Sequence, residues 1–205
     1  MIAVIDYGCG NIFSLRRSLS HIGAESVITS DEDVIRGCDG IILPGVGAFG
    51  AAADKLRERG LAELICSEAA AGKPLLGICL GMQLLLDSSI EFGYHEGLGL
   101  IHGRIIPIND VITRPLQIPH MGWNALSFPR ENVLFDGVEP GSCVYFVHSF
   151  CATDCAEHTT ALAEYSAPIT AAVARGNVYG VQFHPEKSGR TGLKILRNFC
   201  EVSLG

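Results

Sequence analysis

Two short segments hold the residues best suited to covalent chemistry. Gly77-Ile78-Cys79-Leu80-Gly81 follows an apolar run and precedes an amphipathic helical pattern. It is the cysteine counterpart of the strand–turn–helix elbow that presents serine in G-x-S-x-G. A nucleophile on such a turn takes strained backbone angles and stands above the sheet, and glycines flank it because a Cβ there would meet neighbouring backbone. A helix starting after Cys79 would point its positive end at the sulfur and favour thiolate, and the Leu80 amide would stand where an oxyanion forms. The alternative is that Cys79 is one more buried thiol among 8 cysteines.

The second segment is His184-Pro185-Glu186, which follows the apolar-rich run 178–183. Pro185 fixes its own φ and biases His184 toward extended backbone. Alternation in an extended segment would send His184 and Glu186 to one side. That pairing suits a histidine that takes the thiol proton and a carboxylate that holds the imidazole in the right tautomer. In isolation, a surface turn with a capping acid explains the same three residues equally well. The other histidines are weaker bases: His21 falls in a helical pattern, and His120 and His148 lack a carboxylate at suitable spacing. A third segment, Leu43-Pro44-Gly45-Val46-Gly47-Ala48-Phe49, leaves an apolar run at its carboxyl end, where α/β sheets place ligands. It lacks the spacings of phosphate-binding loops, and its glycines allow an amide to turn inward. A second oxyanion donor from Val46 or Gly47 is the better reading.

These segments need a frame. The first half alternates apolar runs at 2–6, 24–29, 40–43 and 74–78 with helical patterns at 11–21, 49–59, 61–71 and 80–86, plus a short helix capped by Ser30 or Asp31. Gly60 separates two of the helices. Such alternation predicts a parallel sheet covered on both faces. The second half reads as short strands at 104–108, 143–147, 160–164, 171–174 and 178–182, joined by turns and paired antiparallel, with a closing helix at 192–202. With 205 residues, no repeat and no linker, one domain spanning 1–205 is the simplest account. The expected class is α/β, a central mixed and mostly parallel sheet flanked by helices.

Composition removes several function classes. A net charge of -7 without a basic stripe speaks against nucleic-acid binding. No apolar run has the length of a membrane span, and the start MIAVIDYG resembles a core strand more than a signal peptide, so a cytoplasmic location is expected. Cys151 and Cys155 invite a metal reading, but no close cysteine pair accompanies them and His158 alone does not complete a site. Free thiols and no metal are expected.

Taken in this order, elbow, His-Pro-Glu and glycine loop resemble the triad, or class I, glutamine amidotransferases. Gly-Ile-Cys-Leu-Gly-Met-Gln (77–83) and Gln-Phe-His-Pro-Glu-Lys-Ser (182–188) carry the likeness. Asp6-Tyr7-Gly8, Gly10-Asn11, Pro44-Gly45-Val46-Gly47-Ala48-Phe49, Pro119-His120-Met121-Gly122-Trp123-Asn124 and Tyr145-Phe146-Val147-His148-Ser149-Phe150 are similar to segments of the glutaminase subunits of imidazole glycerol phosphate synthases. These motifs span nearly the whole chain. The one departure is Cys9, where many members have proline.

The resemblance implies a flavodoxin-like domain without a cofactor. It implies that Cys79, His184 and Glu186 hydrolyse glutamine to glutamate and ammonia through a thioester. The ammonia would pass to a (β/α)₈-barrel cyclase subunit of a heterodimer in histidine biosynthesis. Gly45, Gly47, Gln83, Glu91, Ser149 and Phe150 match positions that hold glutamine: Glu91 would pair with its α-ammonium, and Gln83, Ser149 and the 149–150 backbone would serve its α-carboxylate. Asn11, Trp123, Tyr145, His148 and Lys187 match positions at or near the partner interface. A glutaminase that feeds ammonia to a surface-sugar amidating synthase would carry much the same motifs. The glutaminase of pyridoxal phosphate synthesis fits the 119–124 segment less well, and the intact triad residues argue against a non-catalytic subunit.

Overall fold

The computed structural model describes residues 1–204. The first half runs β1 (Ile2–Ile5), α1 (Ile12–His21), β2 (Ser26–Thr29), α2 (Glu32–Arg36), β3 (Gly40–Gly45), α3 (Phe49–Glu58), α4 (Leu61–Ala70), β4 (Leu75–Cys79) and α5 (Leu80–Leu84). The second half runs β5 (Ser88–Ser89), β6 (His95–Glu96), β7 (Arg104–Pro107), β8 (His120–Ser127), β9 (Cys143–His148), β10 (Phe150–Thr153), β11 (Thr159–Glu164), β12 (Pro168–Arg175), β13 (Val178–Val181) and α6 (Gly189–Leu204). The local signals behave as expected: Asp31 caps α2 by accepting from the Val34 amide at 3.0 Å, and Gly60, at φ 68°, turns the chain between α3 and α4.

Nine strands form one sheet in the order β2-β1-β3-β4-β13-β12-β11-β8-β9. The sheet is mixed, as expected. It is parallel from β2 through β13 and antiparallel from β13 through β9, so the parallel half does not predominate. A second sheet, β10-β7-β5-β6, and strand β8 were not foreseen. β5 and β6 have two residues each, and β8 carries Gly122 and Asn124, poor strand formers whose place in a sheet is decided by their neighbours.

Alternation along the parallel strands sorts the core. Ala3, Ile5, Ile41 and Leu43 face one cluster with Phe49, Leu56 and Ile65 from α3 and α4. Ile2, Val4 and Ile42 face the other, with Leu15 and Leu19 of α1 and Ile195, Leu196 and Phe199 of α6. Both faces are therefore covered, which is why these strands read as continuous apolar runs. β4 and β13 lie side by side at the centre, with Val181 opposite Ile78. That register brings the two chemically loaded segments, about 100 residues apart in sequence, to the same edge of the sheet.

Candidate functional site

Cys79 ends β4 at φ 54° and ψ -110°, a left-handed conformation for a residue with a Cβ, of the kind that concentrates at functional sites. The flanking glycines have the steric reason anticipated for them. A Cβ on Gly81 would stand 1.8 Å from the Leu43 carbonyl oxygen, and one on Gly77 would stand 2.6 Å from that of Gly81. α5 follows at once, with five residues, so the dipole at the sulfur comes from little more than one turn. The thiol is 7% exposed, enough for a small approach path and no more.

The Cys79 sulfur stands close enough to the His184 imidazole to help raise its pKa. On the far side of the ring, His184 Nδ1 and Glu186 Oε1 are 2.9 Å apart, with both side chains 3% exposed. His184 is extended, as expected, but Glu186 sits in the 3₁₀ turn Pro185–Lys187. The two side chains therefore meet through a turn begun by proline and not through strand alternation. Burial alone would push the imidazole down. The Cys79 sulfur and the Glu186 carboxylate outweigh burial and hold it up at about 9, which favours the imidazolium.

Three residues hold this arrangement without having been singled out from the sequence. Gln182, fully buried, donates from Nε2 to the Cys79 sulfur at 3.7 Å. Ser188 donates to the His184 carbonyl at 2.6 Å and accepts from the Tyr145 amide at 2.9 Å, which ties the His-Pro-Glu turn to β9. Tyr7 donates its buried hydroxyl to the Pro44 carbonyl at 2.9 Å, which anchors the glycine loop. Gln182 and Ser188 both fall inside the 182–188 motif. Their roles depend on partners far away in sequence.

The glycine loop leaves β3 beside the thiol: Gly45 stands opposite Cys79 in the ladder. A Cβ on Gly45 would come within 3.0 Å of Tyr7, Gly81 and Leu80, so Gly45 is buried and serves as packing. Val46 and Gly47 are exposed, and Gly47 has φ 105°. The expected glutamine-binding residues divide. Ser149 and Phe150 are half-buried beside the site. Glu91 is buried, and its Oε2 already accepts from the Phe49 amide at 2.6 Å, which leaves Oε1 for an ammonium. Gln83 is engaged within the protein: its Nε2 donates to Gln182 Oε1 at 3.0 Å and to the Phe150 carbonyl at 3.3 Å. Both amide hydrogens are committed, so Gln83 braces Gln182, which in turn meets the Cys79 sulfur.

The expected partner-facing residues also divide. Trp123 is 56% exposed, lies opposite Tyr145 in the β8–β9 ladder, and meets it edge-on with ring centroids 6.1 Å apart. Lys187 places its ammonium 5.8 Å from the Tyr145 ring centre. Met121, on the same strand, is also exposed. Asn11 is half-buried at the start of α1. His148, by contrast, is 6% exposed. It donates from Nδ1 to the Phe150 carbonyl at 2.8 Å, and its Nε2 lies 2.9 Å from His120 Nδ1. Alternation along β9 sends His148 inward while Tyr145 and Val147 lie on the other side of the strand, so His148 stands behind this face and not on it.

Among the described residues, no cluster of histidine, cysteine and acidic side chains is arranged to hold a metal. Cys151 and Cys155 are buried free thiols, and the Cys155 sulfur lies 3.8 Å from the hydroxyls of Thr159 and Thr170. No helix among the described residues is long and apolar enough to cross a membrane.

A buried thiol, an imidazole and a carboxylate beside a glycine loop are the kind of parts an amide-hydrolysing site needs. The family model for class-I glutamine amidotransferases matches residues 3–202. The chain is 47% identical over 208 residues to imidazole glycerol phosphate synthase subunit HisH of Geobacillus sp. (strain WCH70), covering all of this chain and 98% of that protein. It is 48% identical over 204 residues to the protein of the same name from Sulfurimonas denitrificans, covering 98% of each. Among solved structures, a glutamine amidotransferase aligns over the full length of both chains with a TM-score of 0.77 at 17% identity. The structure of PurLQS from Thermotoga maritima gives 0.76 at 22% identity, covering 98% of this chain and 97% of that chain. These last two speak for the fold.

Proposed function

This chain belongs to the class-I glutamine amidotransferase family, and from that premise we propose that it is the glutaminase subunit of an imidazole glycerol phosphate synthase. It hydrolyses glutamine to glutamate and ammonia and passes the ammonia to a cyclase subunit. The observation that carries the chemistry is the single imidazole of His184, paired with the Glu186 carboxylate at 2.9 Å and raised in pKa by the nearby Cys79 sulfur. Residues 1–205 act as one glutamine amidotransferase domain.

The Cys79 thiolate attacks the side-chain amide carbon of glutamine, and the carbonyl π pair moves onto oxygen. The Leu80 amide meets that oxyanion. A second amide, from Val46 or Gly47, joins once the backbone turns at residues 45–47, a movement the left-handed φ of Gly47 permits. The His184 imidazolium gives its proton to the departing nitrogen, the C–N bond breaks, and ammonia leaves behind a thioester. Neutral His184 then takes a proton from water, hydroxide adds to the thioester, and the thiolate departs as glutamate is released. Glu186 holds the imidazole and does not exchange the proton. Glu91 Oε1 takes the α-ammonium of glutamine, and Ser149 with the 149–150 backbone takes its α-carboxylate.

Trp123, Tyr145, Lys187 and Asn11 form the contact with the (β/α)₈-barrel cyclase, with Trp123 as anchor. His148 contributes from beneath. The test is co-purification with the candidate cyclase and an assay of glutamate release with and without it. Weak release alone and strong release in the complex with cyclase ligand bound are expected; full activity of the isolated chain would count against the loop movement. Rescue of a histidine auxotroph separates this reading from a synthase that amidates a surface sugar.

A further inference from the structure

Glu186 is half-satisfied. Its Oε1 faces His184, but Oε2 is buried and has no hydrogen-bond partner among the described residues. An unpaired oxygen on a buried carboxylate is costly, on the order of 1–3 kcal/mol or more, and leaves the carboxylate free to swing off the imidazole it orients. A cavity of about 10 Å³, the lower limit for one water molecule, adjoins this carboxylate and is lined by Asn11, Leu15, Pro44, Gly45, Ile78, His184 and Glu186. Leu15, Pro44 and Ile78 are apolar there. Asn11 brings the only side-chain N–H group in that lining apart from the imidazole.

Asn11 is uncommitted in a telling way. It occupies the N-cap of α1, where an asparagine side chain ordinarily accepts from an amide of the first turn, yet it makes no such bond. Its loop is pressed against the glycine loop: a Cβ on Gly10 would lie 3.2 Å from Pro44. We propose that Asn11 is a positioning residue for the triad, its Nδ2 donating across this cavity to Glu186 Oε2, directly or through the one water molecule that fits there. The carboxylate is then held at both oxygens, by the ring it orients and by a residue at the surface. Asn11 adjoins the Pro185–Lys187 turn, whose Lys187 is exposed, so a protein docking on this face acts on the reacting imidazole through a single side chain. The docking consequence rests on the function proposed above. The hydrogen bond itself does not.

The test therefore uses a readout independent of glutamine and of any partner. Iodoacetate, an anion, alkylates the Cys79 thiolate with loss of iodide, and it is drawn in while His184 is an imidazolium. Its rate at the Cys79 peptide, followed by mass spectrometry across pH, should fall near pH 9 in the unaltered chain. Asn11→Leu, which keeps the bulk and removes the donor, and Asn11→Ala, in case the first does not fold, should move that fall to lower pH by about half a unit or more. In a Glu186→Gln background neither should move it further, because Asn11 acts only through the carboxylate. In the glutaminase assay the same variants should lower kcat several-fold with KM for glutamine unchanged. An unmoved alkaline limb, or an equal shift in the Glu186→Gln background, overturns the proposal. A shifted limb in a chain that releases no glutamate would leave it standing while defeating the glutaminase reading.

Discussion

Two groups of buried histidine flank β9, and they behave in opposite ways. His184 bonds its backbone amide to the Tyr145 carbonyl of β9, and its ring is raised in favour of the imidazolium. His148, three residues further along that strand, is pushed down to about 4, by burial first and then by the charges of His120 and His184, against the help of the Phe150 carbonyl. Burial also lowers His120, despite its bond to Asn124. Desolvation penalises every one of these rings. What separates them is a carboxylate: His184 has Glu186, whereas the His120–His148 pair has amides and carbonyls only.

The pair shows what a missing carboxylate costs. Asn124 donates from Nδ2 to the Glu164 carbonyl, so its Oδ1 must accept from His120 Nε2, 2.8 Å away. His148 Nδ1 must likewise donate to Phe150. With a hydrogen also needed between the rings, the chain of bonds calls for three ring hydrogens, and two neutral imidazoles carry two. The network would reward an extra proton, but burial and the nearby His184 charge oppose it. The neutral pair therefore leaves one contact without its hydrogen.

This contrast can be attacked in order of expected effect. Cys79→Ala should abolish glutamine hydrolysis, a loss on the order of 10⁴-fold or more in kcat, with the fold kept by circular dichroism; residual turnover above that would place the nucleophile elsewhere. Glu186→Gln turns the His184 site toward the His148 case. We expect a loss on the order of 10²–10⁴-fold and an alkaline limb moved to lower pH in the kcat profile, since one cause of the raised imidazole is removed. An unmoved limb would mean that Cys79 alone sustains the charge. Trp123→Ala, on the exposed side of the strand that bears His120, should weaken cyclase binding by about 2 kcal/mol, roughly 30-fold, and shift unfolding by about 0.5 kcal/mol at most. A large loss of stability would make it a core residue instead.

The pH dependence of stability is the most diagnostic of the comparison. His184 is raised, so its contribution to stability is complete below the unfolded value of about 6.5 and is lost as pH climbs through about 9. His148 is depressed, so unfolding gains protons as pH falls from about 6.5 toward 4, and stability is lost in that direction. Together the two place a shallow stability maximum near pH 6.5. Denaturant unfolding across pH checks it: Glu186→Gln should flatten the alkaline slope and His148→Gln the acid one. Identical slopes in the parent and both variants would dissolve the distinction between the two sites.

Much of this was legible before any fold. Gly77 and Gly81 announce the elbow because no Cβ fits there, Gly60 and Asp31 mark helix ends by their own backbone and side-chain preferences, and the split of Ala3 and Ile5 from Ile2 and Val4 follows from the period of a strand. β8 was illegible because Gly122 and Asn124 are poor strand formers, and pairing with β9 holds them in the sheet regardless. The burial of His148 was not legible because the type of a residue does not say which face of its strand is covered.

The sequence alone marked out the candidate side chains: a thiol between glycines, and an imidazole and carboxylate linked by a proline. The tertiary structure alone decided what those groups experience. It brought Gln182 to the sulfur, committed the Gln83 amide to Gln182 and Phe150, buried His148 without an anion and left one oxygen of Glu186 without a hydrogen-bond partner among the described residues. Hydrogen-bond partners and solvent exclusion are set by segments distant in the chain, and the parallel register of β4 and β13 is what brings them together.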